Sequence, residues 1–158
     1  MVDEQTFVRE AQAMERTLYR VSRGYLPSWE DCADAVQEAL AKAWTKRQTV
    51  QPEHFKAWLT RIVINECHNV YRRGKRLTFV EEVELEPQSM PDSDLDLRES
   101  ISALPEKLRL PLLLHYLEGF SLEDVARTLR LPIGTVKSRL HQARKAMKLQ
   151  LEQEDDWQ

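Results

Sequence analysis

Glycine is scarce, with four residues in a chain of 158, and runs of β-branched residues are short, so the sequence has little from which to build sheets and their tight turns. No apolar run approaches the ~18 residues of a membrane span, and the N-terminal MVDEQTFVRE lacks the apolar core of a secretory signal. These absences exclude membrane insertion and predict a cytoplasmic protein. The two cysteines, Cys32 and Cys67, each fall within an apolar helical pattern. That placement predicts reduced, buried thiols in preference to a disulfide or a metal site. What is present, 42% hydrophobic residues, suffices for modest helical cores. The expected fold class is all-α.

The most informative stretch is SLEDVARTLRLPIGTVKSRLHQARKAMK, Ser121 to Lys148. Leu122, Val125, Ala126 and Leu129 recur at i, i+3, i+4 and i+7 and predict one buried stripe. Ser121 precedes that stripe with Asp124 three residues on, the spacing of a capping box. Pro132 biases Leu131 away from helical dihedrals, and Gly134 tolerates conformations or close approaches that a Cβ would hinder. In the second helix Val136, Leu140, Ala143 and Met147 form the inward stripe. Lys137, Ser138, His141, Lys145 and Lys148 share the outward arc, with Gln142 and Arg144 on its margins. Seven basic residues (Arg127, Arg130, Lys137, Arg139, Arg144, Lys145, Lys148) stand against Glu123 and Asp124, inside a chain whose net charge is −3. The pattern is that of a helix-turn-helix, with donors for base edges near the start of its second helix and cations for phosphate further along.

Charge is segregated along the chain. Lys56, Arg61, Arg72, Arg73, Lys75 and Arg76 are opposed only by Glu66 between residues 54 and 79. From Val80 to Ser100, eight carboxylates face the single Arg98, and this stretch contains Pro87 and Pro91 but no helical stripe. It reads as an extended acidic linker. The predicted organisation is a domain over residues 1–77, a linker over 78–99, a second domain over 100–151 and an acidic tail over 152–158. About 22 residues stretched at ~3.3 Å each reach about 70 Å, and a relaxed coil of that length spans nearer ~26 Å.

In the first domain Phe7, Ala11, Met14, Leu18 and Val21 predict one stripe, ending near Gly24 and Pro27. Cys32, Val36, Ala39, Leu40 and Ala43 predict a second, whose opposite face shows Glu30, Asp31, Asp34 and Glu38. Such an acidic face is by itself often only solvated surface. From Phe55 to Arg73 a wide apolar side (Phe55, Trp58, Leu59, Ile62, Val63, Cys67, Val70) lies across from Arg61, Asn65, His68 and Arg72. That polar stripe leads into Arg72-Arg73-Gly74-Lys75-Arg76 and suits contact with a nucleic-acid backbone. Trp44 and Trp58 continue apolar stripes and are expected in the core. Glu66 projects into the apolar arc, so either the helix is rotated from this phase or Glu66 pairs with a basic neighbour.

Taken together, the two halves resemble a known family. Asp34-Ala35-Val36-Gln37-Glu38, Ala43-Trp44, the run FKAWLTRI from Phe55 to Ile62, and Asn65 are similar to region 2 of the extracytoplasmic-function RNA polymerase sigma factors. Leu104-Pro105-Glu106-Lys107, the run LLLHYLEGFS from Leu112 to Ser121, and the run GTVKSRLHQAR from Gly134 to Arg144 resemble region 4. The resemblance covers nearly the whole chain in the family's order. It implies a region 2 helical bundle and a region 4 helix-turn-helix, with core RNA polymerase, promoter DNA and an anti-sigma factor as partners and no enzyme activity, cofactor or metal of its own. Asp31, Asp34, Gln37 and Glu38 would dock on the polymerase. Asn65 and the loop from Thr45 to His54 would hold an extruded base of the −10 element, and Arg61, His68, Arg72, Arg73, Lys75 and Arg76 would lie along that DNA. Thr135, Lys137, Ser138, His141 and Gln142 would face the −35 element, while Arg139, Arg144 and Lys145 would hold phosphate. The linker would pass through the polymerase cleft.

Two features depart from the family pattern. Pro111 falls where a continuous helix is expected, and Gln142 occupies a position often basic in relatives. Two further readings compete. A two-domain helix-turn-helix regulator acting without core polymerase would need only the C-terminal helices and would leave the acidic helix and the linker without a role. A metal-dependent enzyme using His54, Cys67 and His68 is disfavoured, because Cys67 and His68 diverge by about 100° on a helix and no second close pair follows.

Overall fold

The computed structural model describes residues 2–76 and 100–155, with side chains described over 2–73 and 100–148. The chain divides into two compact units, and every regular element among the described residues is helical. The acidic stretch 78–99 and residues 156–158 of the acidic tail lie outside the described residues.

The first unit is built from three helices: α1 (Glu4–Arg23), α2 (Trp29–Thr45) and α3 (Phe55–Arg76). Each of the first two begins on a side-chain cap. Asp3 accepts from the Thr6 N–H at 2.7 Å, a bond that also holds its carboxyl below the usual range, and Ser28 accepts from the Asp31 N–H at 3.0 Å. Two short 3₁₀ turns, Arg47–Thr49 and Pro52–His54, join α2 to α3.

The three helices bury a shared core from Phe7, Met14 and Leu18 of α1, Cys32, Val36, Ala39 and Ala43 of α2, and Phe55, Leu59, Val63 and Cys67 of α3. Alanine at 35, 39 and 43 keeps the inward face of α2 low, which lets the neighbouring helices approach closely. Phe7 meets the rings of Trp44 and Phe55 edge-on at 5.2 and 5.6 Å. Trp44 and Trp58 are half-buried against this core, as their stripes predict. Cys32 and Cys67 are buried free thiols. Burial is the main force that pushes them up to about 12 and about 11, so both stay protonated and unreactive at neutral pH.

The second unit contains α4 (Glu106–Leu112), a π-helical segment Leu113–Leu117, α5 (Leu122–Leu129) and α6 (Ile133–Asp155). Pro111 does not end the helix. It is buried in the last turn of α4, and the chain widens directly after it, with the Glu118 N–H bonding the Leu113 carbonyl at 3.1 Å. Proline cannot donate to the i−4 carbonyl, here that of Lys107, so α4 passes Pro111 with one backbone bond missing, and the π spacing begins beyond it at Leu113. Gly119, at φ +73°, then closes the segment, a conformation open to glycine at little cost.

In α5 the Ser121 hydroxyl accepts from the Asp124 N–H at 3.0 Å, the expected cap. The predicted stripe is rotated: Val125, Ala126 and Thr128 are buried, whereas Leu122 and Leu129 are half-buried. Thr128 fits because its hydroxyl donates to the Asp124 carbonyl at 2.7 Å, leaving a methyl for the core. The turn also differs from expectation. The left-handed residue is Arg130, at φ 55° and ψ 49°, and the N–H groups of Arg130 and Leu131 both bond the Ala126 carbonyl. Gly134 lies inside the first turn of α6, where a Cβ would meet nothing within 4 Å. In α6 the predicted Val136, Leu140, Ala143 and Met147 are all buried, and the helix continues through Asp155.

Candidate nucleic-acid interface

On α6, packing decides which side chains are available. With Val136, Leu140, Ala143 and Met147 turned inward, Lys137, Ser138, His141, Gln142, Arg144, Lys145 and Lys148 are exposed, while Thr135 and Arg139 are half-buried. Among the described residues no carboxylate pairs with Lys137, Arg139 or Lys145, so their charge is open to an external anion. Arg144 is the exception to this freedom, because its guanidinium lies 5.8 Å above the ring of Tyr116, a residue of the π segment that is itself half exposed. A cation over an aromatic face gains electrostatic attraction and loses rotamer freedom. The pairing crosses two elements distant in sequence, so no local pattern could have pointed to Tyr116.

On α3 the polar stripe emerges from the helix side opposite the core. Asn65, Arg72 and Arg73 are exposed; Arg61 and His68 are half-buried. The His68 ring meets Tyr25 edge-on at 5.0 Å. Lys75 and Arg76 fall on the last turn of α3, with side chains outside the described set. On α2, Asp34, Gln37 and Glu38 are exposed and Asp31 is half-buried near the helix start, where the positive end of the helix dipole favours a carboxylate.

Between the acidic face and the basic stripe lies a cleft of about 410 Å³ lined by Glu38, Lys42, Glu66, Asn69, Arg72 and Arg73. It settles the position of Glu66. Both alternatives hold: the buried arc of α3 is turned, with Ala57, Thr60 and Ile64 buried while Trp58, Ile62 and Val70 are half-buried, and Glu66, 3% exposed, has the Lys42 ammonium on α2 bonded directly to its Oε1. Lys42 and Asn69 were not singled out in the sequence. The one local signal is their spacing, since Lys42 follows Glu38 by four residues and Asn69 follows Glu66 by three.

Among the described residues, no three His, Cys, Asp or Glu side chains come together as metal ligands, and no helix is long and apolar enough to cross a membrane.

Comparison with known proteins gives matches to both units. Residues 11–77 match the family described as sigma-70 region 2, and residues 94–147 match sigma-70 region 4. The chain is 30% identical over 146 residues to the RNA polymerase sigma factor SigV of Bacillus subtilis, covering 89% of this chain and 88% of that one. It is 34% identical over 148 residues to the ECF RNA polymerase sigma-E factor of Escherichia coli, covering 80% and 76%. Among solved structures it resembles the sigma factor RpoE of Bartonella quintana, determined in complex with the anti-sigma factor NepR, with a TM-score of 0.77 and 30% identity over 92% of this chain and 96% of that one. CnrH, solved with the cytosolic domain of CnrY, shares the fold at a TM-score of 0.73 and 22% identity, over 95% of this chain and 90% of that one.

Proposed function

The chain belongs to the extracytoplasmic-function sigma factors of the sigma-70 family, and on that premise we propose how its residues share the work of promoter recognition. As a sigma factor it binds core RNA polymerase and directs promoter-specific transcription initiation. Sigma factors are initiation factors without enzymatic chemistry, so RNA synthesis rests with the polymerase and this chain contributes recognition and strand opening. It works in the cytoplasm, where the polymerase works.

The reading divides the molecule at the acidic linker, with residues 1–77 for polymerase docking and the −10 element and residues 100–151 for the −35 element. Asp31, Asp34, Gln37 and Glu38 dock on the polymerase, because they form an outward polar face on a helix whose other side is committed to the core. Asn65 takes hydrogen bonds from an extruded −10 base, and Arg61, His68, Arg72, Arg73, Lys75 and Arg76 follow the backbone beside it. On α6, Thr135, Lys137, Ser138, His141 and Gln142 face base edges of the −35 element, while Arg139, Arg144 and Lys145 hold phosphate. The acidic linker runs through the polymerase cleft, its carboxylates standing in for nucleic-acid charge. Since RpoE, 30% identical to this chain, was solved bound to the anti-sigma factor NepR, an anti-sigma protein is proposed as the partner that holds this chain inactive.

The observation that carries this reading is the exposed arc of α6, rich in donors and cations whose Lys137, Arg139 and Lys145 have no carboxylate partner among the described residues. A free-standing regulator would use that arc too, but would give no role to the outward polar face of α2. In vitro transcription with core polymerase on a library of genomic fragments tests the proposal: specific transcripts sharing −35 and −10 motifs are expected, and transcription no different from core enzyme alone contradicts it.

A further inference from the structure

Glu66 sits where a carboxylate is costly, on the core-facing arc of α3 and almost wholly shielded from water. Its Oε1 accepts from the Lys42 ammonium and from the Asn69 amide Nδ2 at 3.4 Å. The Asn69 Oδ1 in turn accepts from Arg72 Nη2 at 2.6 Å, and Arg72 Nε donates to the His68 carbonyl at 3.4 Å. The four side chains form a continuous relay from α2 through the edge of the core to the exposed end of α3. Its polarity is fixed throughout. An amide has a donor end and an acceptor end, and with an anion on one side and a guanidinium on the other only one orientation of Asn69 satisfies both.

Arg72 itself is exposed, carries a long and rotamer-rich side chain, and would pay to order it on contact with a phosphate. The relay meets that cost in advance. We propose that Glu66 is a positioning residue: acting through Asn69, it holds the Arg72 guanidinium ready for the DNA backbone near the −10 element. Lys42 holds the carboxylate in place. The inference rests on the reading of Arg72 as a backbone contact.

The test uses the full chain assembled with core polymerase, with promoter binding measured across a range of salt concentrations for Arg72→Ala, Asn69→Ala, Glu66→Gln and the double variant Asn69→Ala with Arg72→Ala. Arg72→Ala is expected to flatten the salt dependence by about one unit of slope. Asn69→Ala is expected to weaken promoter binding by roughly 2- to 10-fold, the ordering cost of one such side chain, and to move the slope toward that of Arg72→Ala. Glu66→Gln is expected to act in the same direction. In the double variant the Asn69 effect vanishes, because the side chain it positions is gone. If Asn69→Ala is silent, or its effect persists undiminished without Arg72, the relay is structural and the inference is overturned while the backbone role of Arg72 stands. If Arg72→Ala leaves affinity and slope at the wild-type values, the backbone reading itself fails and the inference falls with it. Should Glu66→Gln fail to fold, Asn69→Ala still decides, since it leaves the Lys42–Glu66 pair intact.

Discussion

On α6 the cations of the exposed face rise from a helix whose inward stripe is apolar throughout, whereas on α3 the cations share their helix with a carboxylate buried beside the core. The first arrangement leaves Lys137 and Lys145 exposed, without a carboxylate partner among the described residues. The second ties Arg72 through Asn69 and Glu66 to Lys42 on the neighbouring helix. A face that reads a regular duplex needs only correct phase and charge. A face that works beside strand opening, where the partner changes shape, gains from side chains ordered beforehand.

The contrast can be broken most severely on α2. Reversing Asp34 and Glu38 together to Lys is expected to abolish binding to core polymerase while leaving the helical circular dichroism and melting behaviour unchanged, because both residues are exposed. Co-elution with core enzyme after that change would remove this face from the docking surface and leave the two units with unrelated jobs.

Core substitutions sharpen the comparison within the second unit. Leu140→Ala, at a site 3% exposed, is expected to destabilise by about 2 to 5 kcal/mol. Leu129→Ala, at a half-buried site, is expected to cost less than half as much, because part of the removed surface already meets water. Equal losses in chemical denaturation would restore the unrotated stripe of α5.

On the exposed face, Lys137→Ala is expected to weaken promoter use by roughly 1 to 3 kcal/mol and to relax sequence preference. Lys145→Ala is expected to lower affinity evenly across sequences and flatten the salt dependence by about one unit of slope. Transcription assays on promoter variants separate the two, and identical behaviour would erase the division between base and phosphate contacts.

The smallest effect distinguishes the units by pH. Cys32 and Cys67 both lie in the first unit and are raised to about 12 and about 11 by burial, well above the ~8.5 of a free thiol. In the unfolded chain they ionise first, so their contribution is complete below that value and is lost as pH climbs toward the folded values. The first unit is therefore expected to lose stability above about pH 9 in a way that replacing both cysteines with alanine removes. The second unit, which has no cysteine, lacks this dependence. Hydrogen exchange of α1–α3 against α4–α6 at rising pH reads the difference, and parallel losses in the cysteine-free variant would contradict it.

Much of this was legible in the sequence because it depends on neighbours three and four residues apart. The stripes of α1 and α6, the Ser121 cap, the buried thiols and the helical class all follow from that spacing. The turn before α6 is legible from Pro132 and Gly134, but the residue that takes the left-handed conformation is Arg130, stabilised by two bonds to the Ala126 carbonyl. Thr128 is not legible as a core residue because its hydroxyl looks polar until the Asp124 carbonyl absorbs it. Pro111 stands out in the sequence as a departure from a continuous helix, but its burial within α4 depends on packing that no local pattern reports. Glu66 posed a choice that only tertiary structure resolves, as its partner Lys42 lies 24 residues away on another helix. Tyr116 beneath Arg144 was hidden for the same reason.

The central claim is that this chain reads a promoter only as part of the polymerase. Footprinting a cognate promoter with the purified chain alone, with core enzyme alone, and with the two combined tests that claim directly. Protection of the −35 and −10 elements in the combined sample only is the expected result. Full specific protection by the isolated chain, unchanged when core polymerase is added, would contradict it.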